Sequence, residues 1–468
     1  MRRSPFALAT VALALVGVLG VASGAACGGD PQPPPPMTKG GCGMPAYEWL
    51  PKEQVGQVVT TRESERSHFT AMTLDVMMAA FGASEFFSPA PYGVRIHHLR
   101  YGTQDRGQPV EATGLVSVPW NDGGKRERFP VVLFLHGTTG FMGQCAPSYD
   151  LDDGLIFPLL LLSSLGYIVV APDYIGLDAD ADFAQPPPVK HTYLGLEQTA
   201  VGSLDMVRAA RALLAAQPDL NADPKDDLVI WGGSQGGHAA FACDLVAPYY
   251  APELKVRANV ALVPPTDLLG IGAYALGSVN DATGAFAAAL TGFHYWHQGS
   301  AGFDTLLTTT DPWNLAATVP EAMYSGCAAE DQFDGLTEVS QVYQPTVIEK
   351  GLAGEWDALE PWGCYLRTNS ITWTPITRLR DTPTLFVVSQ NDKLVYAQAE
   401  RDDFPRLCAQ GYRLQYLECA DAEHSDGAIW SLPEQTAWVK ERLDGKSIAA
   451  ADLCVRKDAV RCLGQPEN

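Results

Sequence analysis

A serine set among glycines, then an aspartate, then a histidine, in that order along the chain, are the residue types from which a nucleophilic site is built. The serine is Ser234 in "LVIWGGSQGGHAAF", where four glycines separate an apolar run from an alanine-rich one. Two chemistries compete for such a turn: a nucleophile held in strained backbone, or a glycine loop cradling a phosphate. A P-loop needs Lys and Ser or Thr after its last glycine, and here Gly237 is followed by His238 and Ala239. A dinucleotide turn needs glycines at i, i+2 and i+5, and no frame of "GGSQGG" supplies them. The nucleophile reading needs a buried strand before the turn and a helix after it, and "DLVIW" and "GGHAAFACDLV" have those patterns.

A serine hydroxyl is a poor nucleophile near neutral pH and needs a base within hydrogen-bond reach, itself oriented by a carboxylate. "TLFVVSQNDKLV" puts Asp392 just past an apolar strand, and "LQYLECADAEHSDG" puts His424 just past the next. Of the nine histidines only His424 follows Asp392. Ser234, Asp392 and His424 are therefore the expected triad. An oxyanion hole needs two backbone N–H groups aimed at the developing charge. Gln235 should give one. The other should come from "LHGTTG", with Thr138 the expected donor and Thr139 its rival.

Other polar residues fit plainer roles. His136 should shape its loop and His238 should pack within the helix after Ser234. Asp173 and Tyr174 end a strand, where turns commonly want them. His294, Tyr295, Trp296 and His297 read as ordinary packing in the segment that holds them.

The elements that must position the triad follow a clear rhythm. "YGVRIHHLRYG" and "VEATGLVSVPW", either side of "TQDRGQ", read as an antiparallel pair. After them, continuous apolar strands alternate with helical patterns, the signature of a mostly parallel sheet covered on both faces: an α/β fold. The rhythm breaks after "ANVALVPP" and resumes at "TLFVVS". The interrupting segment carries five of the ten tryptophans and reads as a helical cap inserted between the sixth and seventh strands. The expected layout is a signal peptide over 1–26, a Pro/Gly-rich tether over 27–45, core over 46–268 and 381–468, and the cap over 269–380.

The first residues, "MRRSPFALATVALALVGVLGVASGAAC", have two arginines, a short apolar core and small residues at the end, which is an export signal. It fits cleavage just before Cys27 and equally a lipid attached to Cys27, so the protein is expected to be secreted or held at a bacterial cell envelope. "GGDPQPPPPMTKGG" follows as an extended spacer. Cys243 falls on the helix after Ser234 and reads as a buried thiol. That leaves eight cysteines beyond Cys27 for bridges, for which Cys408–Cys419 and Cys454–Cys462 are the short-range expectation. No C-x-x-C pair suggests a zinc site, and the chemistry calls for no cofactor and no metal. A net charge of −22 excludes the basic footprint of a nucleic-acid binder and disfavours adhesion to anionic lipid.

Together "YGVRIHHLRYGTQDRGQPVEATGLVSVP", "FLHGTTG", "YIVVAPDYIGLD", "GGSQGGHA", "PPTDL", "QNDKLV" and "EHSD" resemble the secretory, lipase-A-like branch of the α/β-hydrolase superfamily, from about Tyr92 to Trp438. The resemblance implies an α/β-hydrolase fold with Ser234, Asp392 and His424 as triad, and hydrolysis of acylglycerols or smaller esters. Gly233 departs from it, standing where Tyr or His often precedes the serine. Acetyl- or feruloyl-type esterases and polyester depolymerases would use the same core, and a catalytically silent binding module is the reading from another class.

Overall fold

The computed structural model describes residues 37, 39–63, 67–121, 124–151, 156–181, 188–327 and 332–466. The expected signal peptide, Cys27 and the proline run lie outside them. Ten strands form one sheet: β1 (Val58–Arg62), β2 (His68–Phe69), β3 (Gly93–Asp105), β4 (Gln108–Trp120), β5 (Glu127–Leu135), β6 (Ile168–Pro172), β7 (Ala222–Gly233), β8 (Lys255–Leu262), β9 (Pro383–Ser389) and β10 (Arg413–Cys419). Their order is β1-β3-β4-β6-β5-β7-β8-β9-β10, with β2 on β3. β3 and β4 are the expected hairpin, closed by Arg106 and Gly107, both at positive φ (50° and 73°), the two-residue turn whose twist matches the strands. From β6 to β10 every pairing is parallel.

The parallel strands are apolar on both faces because both faces are covered. Val131, Leu133, Leu228 and Ile230 pack into one core with the helices Leu196–Ala216 and Gln235–Tyr250. The intervening Val132, Val229 and Trp231 pack into a second, with the helices Phe157–Ser164 and Leu432–Leu443. The period-2 alternation of strand side chains divides one apolar run between two cores.

The described residues of 268–382 add helices and no strand to this sheet, and bury a third core, including Ile271, Phe286, Trp356 and Trp362, which Phe141, Tyr193, Leu194 and Val395 of the body join. The insertion sits between β8 and β9, the eighth and ninth strands. The count differs from the expected sixth and seventh because β1 and β2 precede the hairpin. β1 is "VVTTR", mostly exposed at a sheet edge, and β2 has two residues, so neither carries an apolar period. Two disulfides tie the insertion down: Cys42–Cys364 and Cys145–Cys327.

The other two disulfides correct the short-range expectation: Cys408 pairs with Cys454, and Cys419 with Cys462. Cys408 precedes β10 and Cys419 ends it, so a strand spanning roughly 20 Å holds them apart, far beyond bridging distance. The C-terminal segment lies along that strand, with bridges Gln415↔Leu453 and Cys419↔Val460, and delivers one cysteine to each end. Cys243 is a buried free thiol.

Candidate active site

β7 ends at Gly233 and the helix Gln235–Tyr250 begins at Gln235, leaving Ser234 alone on the turn at φ 56°, ψ −121°. An L-residue there is strained, and its neighbours must give way. A Cβ on Gly232 would stand 2.1 Å from the Gly236 carbonyl oxygen, and one on Gly236 would stand 1.9 Å from that of Leu135. On Gly237 it would meet the Leu262 oxygen at 2.7 Å. Gly233 differs: a Cβ there would have only ordinary contacts, nearest Leu262 Cβ at 3.7 Å. The turn thus requires three of its four glycines, and it leaves room at Gly233.

The structure brings Ser234, Asp392 and His424 together. His424 Nε2 lies 2.8 Å from Ser234 Oγ, and His424 Nδ1 lies 2.6 Å from Asp392 Oδ2. Asp392 is buried, and its Oδ1 accepts from the N–H groups of Leu394 (2.8 Å) and Val395 (3.0 Å). The acid and histidine loops are laced to each other: Asn391 N–H donates to the Ala422 carbonyl at 2.8 Å, and Ser389 Oγ donates to the His424 carbonyl at 3.2 Å.

Gly137 stands beside the serine, the position of its absent Cβ being 3.7 Å from Ser234 Cβ, which brings Thr138 to the edge of the site. The Thr138 hydroxyl donates to Tyr193 Oη at 3.0 Å, while Thr139 Oγ1 is buried with no partner among the described residues. Gln235 opens its helix, so its N–H has no acceptor within the helix.

Two residues that sequence reasoning missed shape this corner. His191 is fully buried, and its Nε2 lies 2.8 Å from Gln235 Nε2. Burial holds the imidazole down to about 3, so Nε2 stays free to accept from that amide. Tyr193 takes the Thr138 hydroxyl and walls the cleft at Ser234. Both lie in "VKHTYLG", which has no strand or helix period; only the rarity of histidine marks it.

His136 keeps the loop-shaping role expected of it. It is buried, held down to about 4 by that burial, and its Nδ1 donates to the Gly137 carbonyl at 2.6 Å. His238 packs within its helix and donates from Nε2 to the Asn369 carbonyl at 2.7 Å. Asp173 does more than end a strand, since it accepts from the Thr113 hydroxyl (2.7 Å), the Ser148 N–H (3.0 Å) and the Ser148 hydroxyl, joining three segments.

Ser234 opens into a narrow apolar cleft walled by Leu268, Ile271, Phe286, Leu366 and Val395 among others. A second space, about 1210 Å³ and partly open to solvent, adjoins Thr138, Thr139 and Phe141. The two share Tyr193, Ala285 and Leu394. Among the described residues no cluster of His, Cys, Asp and Glu is arranged to hold a metal ion.

The model of the secretory lipase family matches residues 147–306, a span that contains Ser234. Over that span the chain is similar to the secretory lipases, and its fold is that of the α/β-hydrolases. It is 25% identical over 376 residues to Lipase A of Arthroderma benhamiae, covering 75% of this chain and 71% of that one. To Lipase 5 of Candida albicans it is 24% identical over 340 residues, covering 65% and 63%. Its fold is similar to that of the rice cell wall degrading esterase LipA from Xanthomonas oryzae, with a TM-score of 0.67 at 20% identity over 84% of this chain and 99% of that one.

Proposed function

We propose that this carboxylic ester hydrolase works as a serine lipase or esterase through Ser234, His424 and Asp392. The observation that carries the reading is the unbroken relay from Ser234 Oγ through His424 to Asp392, with contacts of 2.8 and 2.6 Å, at the mouth of an apolar cleft. Ser234 Oγ attacks the ester carbonyl while His424 Nε2 takes its proton. The N–H groups of Gln235 and Thr138 hold the tetrahedral oxyanion. His424 then protonates the leaving alcohol, and water activated by the same imidazole releases the acid from the acyl-serine. Asp392 fixes the tautomer and stabilises the imidazolium.

The apolar cleft beside Ser234 supports an apolar acyl group, and the larger space on the Thr138 side supports the alcohol portion. Residues 269–380 act as the cap that keeps both from bulk water. The leader takes the chain out of the cytoplasm, in keeping with the four disulfides. Cys27 is either the first mature residue or a lipid anchor.

Covalent labelling by an active-site fluorophosphonate tests the reading. Wild type should be labelled at Ser234 and Ser234→Ala should not. Absence of labelling in a folded wild type would favour the silent binding module.

A further inference from the structure

Behind the acid loop lies a carboxyl group that the mechanism does not use. Glu400 is on the first turn of the helix Ala397–Ala409, which starts directly after the loop; Ala397 N–H donates to the Asp392 carbonyl at 3.0 Å. Glu400 is 1% exposed, and neither of its oxygens has a hydrogen-bond partner among the described residues. Facing it are Asp392 from the acid loop, Arg401 and Asp403 from its own helix, and Tyr416 and Glu418 from β10. Only Arg401 favours a charge there, and it makes no hydrogen bond to Glu400. Arg401 is committed to Glu418 (2.6 Å) and the Gln390 carbonyl (2.9 Å), and Tyr416 also donates to Glu418. Asp403 takes the hydroxyls of Thr266 and Thr372. Burial, then the nearby Asp392, push the Glu400 carboxyl well above the usual range.

Asp392 has the opposite surroundings, with His424 and two backbone N–H groups donating to it. Of these two neighbouring carboxyls, one is met by donors and the other by none.

We infer that Glu400 is a positioning residue for the catalytic acid: the pair holds one negative charge, Glu400 keeps the proton, and Asp392 alone meets His424 as a carboxylate. The inference rests on the triad proposed above. It has a consequence when Asp392 is made neutral. The part of the opposition to charge that Asp392 adds to burial disappears, so Glu400 releases its proton to solvent at a lower pH than in wild type, and a negative charge then stands behind His424.

The test compares wild type, Glu400→Gln, Asp392→Asn and the double variant across pH, with Ser234→Ala as control. Asp392→Asn should gain activity as pH rises, and the double variant should lack that rise and fall at least about tenfold lower at alkaline pH, a non-additivity expected only of coupled groups. If Glu400→Gln changes kcat by the same factor in both backgrounds, Glu400 does not act through Asp392. Thermal unfolding gives a readout free of activity. An acid whose pKa is raised on folding destabilises the fold progressively as pH climbs from its ordinary value. Glu400→Gln, or Glu400→Met if the amide folds poorly, should therefore exceed wild type in Tm by a margin that widens with pH. A margin independent of pH would overturn the inference. Activity surviving in Ser234→Ala would instead overturn the triad itself, which keeps the two failures apart.

Discussion

At the scale of single residues, the turn that holds Ser234 makes a sharp distinction among identical side chains. Gly236→Ala drives a methyl to 1.9 Å from the Leu135 oxygen and should leave little folded protein. Gly233→Ala meets nothing closer than 3.7 Å and should leave Tm unchanged or raise it, an effect of about 0.4–1 kcal/mol through the unfolded chain. Thermal melts of the two variants decide this, and equal losses would contradict it. His238 supplies a test in pH. Burial lowers it to about 4, so between the ordinary histidine value and that figure only the unfolded chain takes up its proton. Its share of stability is full above about pH 6.5 and is lost as pH falls through 4, at about 1.4 kcal/mol per unit. Tm should therefore drop less steeply on acidification in His238→Gln than in wild type; parallel curves would contradict a buried neutral imidazole.

At the scale of elements, the corner proposed to hold the oxyanion depends on parts drawn from distant stretches. His191→Phe removes the acceptor that holds the Gln235 side chain. It should lower kcat by about tenfold with little change in KM, a fraction of the roughly 10²–10³ that follows outright loss of a donor. A change confined to KM would mean that His191 serves binding instead. The loop after β5 lies on the Cys145–Cys327 bridge, with the position of a Gly140 Cβ only 2.6 Å from Cys145 Sγ. Replacing both cysteines by alanine should therefore depress kcat, whereas replacing Cys408 and Cys454 should cost stability, about 2–5 kcal/mol, and spare kcat. Kinetics on both pairs would show it. These same elements explain what could be read in advance. β7 and β9 end in apolar runs and β10 alternates apolar with polar residues, each followed by turn residues, so Ser234, Asp392 and His424 could be placed at strand ends from the sequence. His191 and Glu400 could not, because what matters about them is burial and the absence or presence of a partner, which no local pattern records. The true bridges escape a sequence reading for a related reason: proximity in sequence across a strand is distance in space.

At the scale of the whole molecule, one sheet carries the three loops at its strand ends, and an insertion tied to the body by two disulfides is proposed to cap them. The apolar lining next to Ser234 predicts that esters with apolar acyl groups exceed acetate in kcat/KM, measurable with p-nitrophenyl esters of graded length; a maximum at acetate would assign the cleft to another part of the substrate. The account's central claim is that Ser234 is the nucleophile. The most direct measurement is the rate of p-nitrophenyl ester hydrolysis by wild type and by Ser234→Ala, each shown to be folded by its thermal transition. The account predicts a fall in kcat of about 10⁴- to 10⁶-fold in the variant. A folded Ser234→Ala that hydrolyses the ester as fast as wild type would contradict it.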